Sequence, residues 1–111
     1  MAPSFSIRTR AAGSRARTGT LHLHRGEVRT PAFVPLATKA VVKTLEVAEA
    51  AELGYDMVLG NTFHLFIQPG PDLIRDLGGL HEFMGWQGAI VTDSGGYQVF
   101  SMGHGLSLIH I

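Results

Sequence analysis

The chain has 111 residues, 45% of them hydrophobic, with 14 Gly, no Cys and a formal net charge of zero. Those values suit one ordinary soluble domain or part of a larger one, and they exclude a disordered chain, a disulfide framework and a thiolate metal site. No apolar run approaches the roughly 18 residues that would span a bilayer.

The charge is unevenly placed. Residues 1–45 carry eight of the nine basic side chains (Arg8, Arg10, Arg15, Arg17, Arg25, Arg29, Lys39, Lys43) against one acid, Glu27, and the remainder carries the opposite excess. A basic half is a candidate footprint for a polyanion, or simply a set of solvated arginines on short strands. The first 26 residues are Arg- and Ser-rich without an acid, which is also the composition of a transit peptide. Alternation argues for folded structure instead. Phe5 and Ile7 stand apart from Ser6 and Arg8, and Leu21 and Leu23 alternate with His22 and His24, as on half-buried strands. "TLHLHRGEVRTP" predicts a hairpin turning at Arg25-Gly26.

Next, "PAFVPLAT" predicts a short apolar strand with prolines near its ends. "TLEVAEAAELG" predicts a helix capped by Thr44 and stopped at Gly54, with Leu45, Ala48 and Ala51 on its apolar face. Glu46, Glu49 and Glu52 form a solvated face. "DMVLGN" predicts a buried strand ending at Gly60-Asn61. "PGPDLIRDLG" predicts a helix with Pro71 at its start, Asp72 in its first turn and Gly78 as its stop. "GLHEFMGW" predicts a helical turn packing Leu80, Phe83 and Trp86, and "AIVTD" a third apolar strand. Strand, helix, strand, helix, strand predicts α/β architecture with a parallel sheet. That is too little to close a (β/α)8 barrel of about 250 residues.

Polar or Gly-rich sequence follows each of the three strands, in "FVPLATKA", "LGNTFHLF" and "VTDSGGYQ". In a parallel sheet such ends converge on the face where ligands bind. Asp93 can serve as a general base or ligand acceptor, or cap the turn that follows it. Gly95 and Gly96 let a backbone approach a flat ligand, and Tyr97 can stack on one or pack in the core. Ser94 lacks the G-x-S-x-G elbow of a serine hydrolase. His22 and His24 share a strand face without a third ligand, so they read as surface histidines. His64 lines the pocket or makes a structural hydrogen bond.

"RTPAFVPLATKAVVKTL", "LGNTFHLFIQPGPDLI", "GGLHEFMGW" and "TDSGGYQVFS" together resemble the N-terminal part of tRNA-guanine transglycosylases, the queuine family, over about residues 5–105. The resemblance implies α/β architecture: the N-terminal portion of a (β/α)8 TIM barrel, preceded by a β-hairpin and incomplete in this chain. Residues 106–111 would be a tail of doubtful origin. It implies an enzyme that replaces guanine at the anticodon wobble position with a 7-deazaguanine, preQ1 or queuine, through a covalent enzyme–tRNA intermediate. Zinc is expected in the full-length protein, with no ligands for it in this chain. The implied setting is cytoplasmic, as a homodimer acting on tRNA, with no membrane. In the family motif D-S-G-G-[FY]-Q the aspartate is the proton acceptor for the incoming base, and that position is Asp93. Ser94, Gly95, Gly96 and Tyr97 then belong to the base-binding loop, and Asn61 is a candidate for orienting the nucleotide. The family's nucleophile, a second aspartate, falls beyond this chain, so the chain alone is expected to be inactive and poorly soluble. An accessory subunit of the family and an archaeosine-type enzyme are the alternatives.

Overall fold

The computed structural model describes residues 2–38, 40–42 and 45–97. Strands β1 (Ser4–Arg10), β2 (Arg17–Leu23) and β3 (Gly26–Thr30) form an antiparallel sheet in that order. The alternation at Phe5/Ile7 and Leu21/Leu23 thus does mark strands. The hairpin between β2 and β3 turns one residue earlier than expected. Leu23 pairs with Gly26, leaving His24 and Arg25 as the loop. Gly26 follows with φ +125°, a conformation that costs glycine little and other residues much. Burial in this sheet is confined to β2 and β3, where Gly19, Thr20 and Val28 are covered. All seven residues of β1 are exposed, and among the described residues β2 is the one element in extensive contact with it. Phe5 and Ile7, expected on a half-buried face, are 46% and 39% exposed, so their cover is only partial.

The second part of the chain is α/β. Strands β4 (Met57–Gly60) and β5 (Ala89–Thr92) pair in parallel, with Leu59 opposite Val91 and Gly60 opposite Thr92. The expected strand in "PAFVPLAT" is reduced to one parallel bridge between Leu36 and Leu59. Proline has no N–H to give a ladder. The contacts made are the Ala37 N–H to the Leu59 carbonyl (2.7 Å) and the Leu59 N–H to the Pro35 carbonyl (2.9 Å). Even so, the three predicted lines lie side by side in parallel, with β4 between the other two.

Four short helices connect them: α1 (Val47–Glu52), α2 (Thr62–Ile67), α3 (Pro71–Asp76) and α4 (Leu80–Met84). Thr44, the expected cap of α1, lies outside the described residues. The cap observed is Glu46, in a reciprocal capping box with Glu49. The buried face also differs from the expected one. Ala50 is fully buried and Val47 packs beside it, while Ala48 and Ala51, expected inside, are exposed. The helix α3 starts at Pro71 with Asp72 in its first turn, as its sequence predicts. The core joins Ala37, Ala40, Val42, Ala50, Val58, Leu65, Met84 and Trp86, with Leu80 and Phe83 packed against it. Fully burying a side chain such as Val58 contributes roughly 1.5–3 kcal/mol.

The helix α2 was not expected, since "NTFHLF" reads as a polar strand end. The signal for it is Asn61, whose side chain accepts the His64 N–H at 3.0 Å as an N-cap. Phe63 and Leu65 then turn inward. Gln98 onward, including the tail 106–111, and Lys39 and Lys43 lie outside the described residues.

Candidate functional site

The parallel register sets Asn61, just past β4, beside Asp93, just past β5. The Asp93 N–H reaches the Gly60 carbonyl at 3.4 Å, carrying the ladder one step beyond the strands. The Asp93 carboxylate then receives two hydrogen bonds from the start of α2. Thr62 N–H donates to Oδ1 (3.0 Å) and Asn61 Nδ2 donates to Oδ2 (3.1 Å). The Thr62 hydroxyl donates to the Asp93 main-chain carbonyl. Asp93 therefore engages the helix that precedes β5 rather than capping the turn that follows it. Each carboxylate oxygen has accepted one bond, and a carboxylate has about four lone-pair sites. Room remains for a ligand N–H.

The rest of the motif divides between internal and outward roles. The Ser94 hydroxyl accepts the Gly96 N–H at 3.2 Å, closing a local turn. Gly95 is buried at φ +72°, and a Cβ there would lie 3.2 Å from the backbone nitrogen of Phe63. Its lack of a side chain is thus used against α2. Gly96 is exposed, and Tyr97, four residues along the chain from Asp93, is 78% exposed. Asn61 spends Oδ1 on capping and Nδ2 on Asp93. His64 packs its ring edge-on to Phe63, with centroids 5.6 Å apart. Thr62 and Phe63 are the residues that motif reading missed. Their signal is position: they open the helix whose first turn faces the D-S-G-G loop.

Two other features are a groove that Thr62 also lines and an ion pair at the opposite end of β4. A groove of about 410 Å³ opens among α2, α3 and α4, and its lining is mostly apolar, with Leu65, Phe66, Ile74 and Leu80 among it. It offers no acid or base pair for chemistry. At the start of β4, Arg29 holds Asp56. Arg29 Nε and backbone N–H both donate to Asp56 Oδ2 (2.9 and 3.2 Å), and a guanidinium nitrogen reaches Oδ1 (3.2 Å). The Arg29 hydrogen bond holds the Asp56 carboxyl below its ordinary value, and the Arg29 guanidinium is raised in turn. This bridge ties the antiparallel sheet to the end of β4 remote from Asp93. His22 bonds Ser6 (2.8 Å) and Glu27 (3.2 Å), an arrangement of strand-surface contacts. Among the described residues no three His, Asp or Glu side chains cluster to hold a metal, and the chain has no Cys. These residues do not fit a zinc site.

Comparison with known proteins adds an independent line. A sequence model described as queuine tRNA-ribosyltransferase matches residues 12–109. A queuine tRNA-ribosyltransferase of Zymomonas mobilis is 52% identical over 100 residues, covering 90% of this chain and 26% of the relative. One from Novosphingobium aromaticivorans is 51% identical over 98 residues, covering 88% and 26%. One from Symbiobacterium thermophilum is 50% identical over 102 residues, covering 92% and 26%. The chain spans about a quarter of the length of these relatives.

Proposed function

The chain belongs to the queuine tRNA-ribosyltransferase family, and on that premise we propose that it forms the N-terminal part of a tRNA base-exchange enzyme. The full protein is a pentosyltransferase built on a (β/α)8 barrel, of which β4, β5 and the Leu36 bridge are the opening strands. It replaces guanine at the wobble position with a 7-deazaguanine, preQ1 or queuine. It does so as a cytoplasmic homodimer. No helix among the described residues is long and apolar enough to cross a membrane. Zinc, expected of the family, would be held by parts of the protein outside this chain, and no step here passes through it.

The observation that carries this reading is the Asp93 carboxylate, fixed at the end of β5 by two bonds from α2, with Tyr97 exposed four residues further along the chain. As the glycosidic bond breaks, guanine leaves with the bonding pair and takes a proton at the freed ring nitrogen, oxocarbenium character builds at the ribose, and a carboxylate elsewhere in the full protein captures that carbon as an ester. The incoming base then attacks the same carbon. Its ring nitrogen forms the new glycosidic bond, the ester bond breaks, and the ring N–H proton passes to Asp93. Tyr97 supplies a stacking face for the planar base, the loop at Ser94, Gly95 and Gly96 shapes the floor beneath it, and Asn61 orients the nucleotide.

The test uses a full-length chain in which this segment replaces the matching quarter of the Zymomonas mobilis relative. There Asp93→Asn should still form the covalent tRNA adduct, while incorporation of labelled base falls about 10²–10⁴-fold. Near-normal incorporation would remove Asp93 from the role.

A further inference from the structure

Thr62 stands outside the D-S-G-G-Y-Q motif, yet it contacts Asp93 from two separate atoms. Its backbone N–H donates to Oδ1 at 3.0 Å, and its hydroxyl donates to the Asp93 main-chain carbonyl. Any residue but proline at this position would supply the first bond. The second needs a hydroxyl, so it is the contact that side-chain identity decides.

We infer that Thr62 is a positioning residue for base exchange: its hydroxyl fixes the main chain at Asp93 and so the direction from which the carboxylate meets the incoming base. The inference rests on the assignment of Asp93 as proton acceptor. The Asp93 N–H is held by the Gly60 carbonyl on one side, and the Asp93 carbonyl by Thr62 on the other. Both backbone torsions of the residue are therefore restrained, and only the side-chain torsions remain to aim the carboxylate. Asn61 restrains those through Oδ2. One residue further along α2, the Phe63 backbone seats Gly95. Three consecutive residues of one helical turn thus template the loop. The geometry matters because a shift of about 1 Å in a reacting group can cost on the order of 10²-fold in rate.

The experiment compares Thr62→Val, Thr62→Ser and Asp93→Asn in the full-length chimera. Thr62→Val keeps the shape and the backbone N–H but loses the hydroxyl. It should lower kcat for base incorporation about 10–100-fold while the KM for tRNA stays within about twofold. Thr62→Ser should recover the rate to within about threefold. Wild-type turnover by the valine variant overturns the inference, as does a loss that appears in the KM for tRNA, or serine failing as badly as valine. If the valine variant does not fold, alanine takes its place: serine fast and alanine slow upholds the inference, and equal rates overturn it. Asp93→Asn separates the two levels. If it exchanges normally, the assignment of Asp93 has failed; if it is inactive while Thr62→Val is normal, only the role of Thr62 has.

Discussion

The antiparallel sheet and the parallel pair are both made of short strands, yet they are covered to different extents, with Val91 and Thr92 at the end of β5 exposed as well. In β1 every position is exposed, whereas Val58 and Gly60 in β4 are buried beneath helices and neighbouring strands. Strand formation in the two regions follows the same alternation rules, but burial follows from what packs over the strand. The site belongs to the better covered region. Its carboxylate is held by the first turn of α2, and that turn is anchored by Phe63 and Leu65 in the interior.

The largest expected effect tests that contrast directly. Trp86 is 3% exposed and its ring N–H donates to the Ala89 carbonyl at 2.9 Å, at the start of β5. Trp86→Ala should cost about 3–5 kcal/mol, from lost burial and a cavity. Phe5 on β1 is 46% exposed, and Phe5→Ala should cost less than about 1.5 kcal/mol, since half its area is already in water. Urea midpoints at unchanged slope measure both. Equal losses would erase the distinction between the regions.

What the sequence disclosed follows the same division. Strands were legible wherever alternation or a short apolar run met a turn signal, as at Phe5/Ile7, Leu21/Leu23, "DMVLG" and "AIVT". The meeting of two strand ends, at Asn61 and Asp93, was also legible, because parallel architecture imposes it. Burial was less so: nothing in β1 tells that its residues stay exposed, and nothing in α1 tells that Ala50 rather than Ala48 and Ala51 meets the core. In the site, residue identities pointed to Asp93 and its loop, and family resemblance assigned them roles. Thr62 stayed hidden because it meets Asp93 across 31 residues of chain through backbone atoms and one hydroxyl. Only the register of β4 against β5 makes such a contact visible.

A middle-sized effect concerns the joint between the regions. The Asp56 side chain is 25% exposed and that of Arg29 is 64% exposed. An exposed pair alone would matter little, but three donors from one arginine give this one fixed geometry. Because the bridge holds the Asp56 carboxyl below its ordinary 3.8, its stabilising contribution is complete above that pH and is lost as pH falls through the lower folded-state value. Asp56→Asn should therefore lower the melting temperature at pH 7, and the deficit should shrink as pH falls below 3.8. A deficit unchanged across that window would mean that the joint depends on packing rather than on charge.

The smallest expected effect lies on β1. Ile7 is 39% exposed and sits opposite Gly19 in the ladder. Ile7→Thr keeps the branched Cβ that suits an extended backbone while removing apolar surface that faces water. With Ile7 opposite a glycine and outside the buried core, stability should stay within about 0.5 kcal/mol. A loss above about 2 kcal/mol would show that something covers this face in solution. A melting temperature that rises with protein concentration, and stops doing so in the threonine variant, would identify the cover as another copy of the chain. In that outcome β1 would be an interface, and the contrast in cover between the two regions would hold only for the isolated chain.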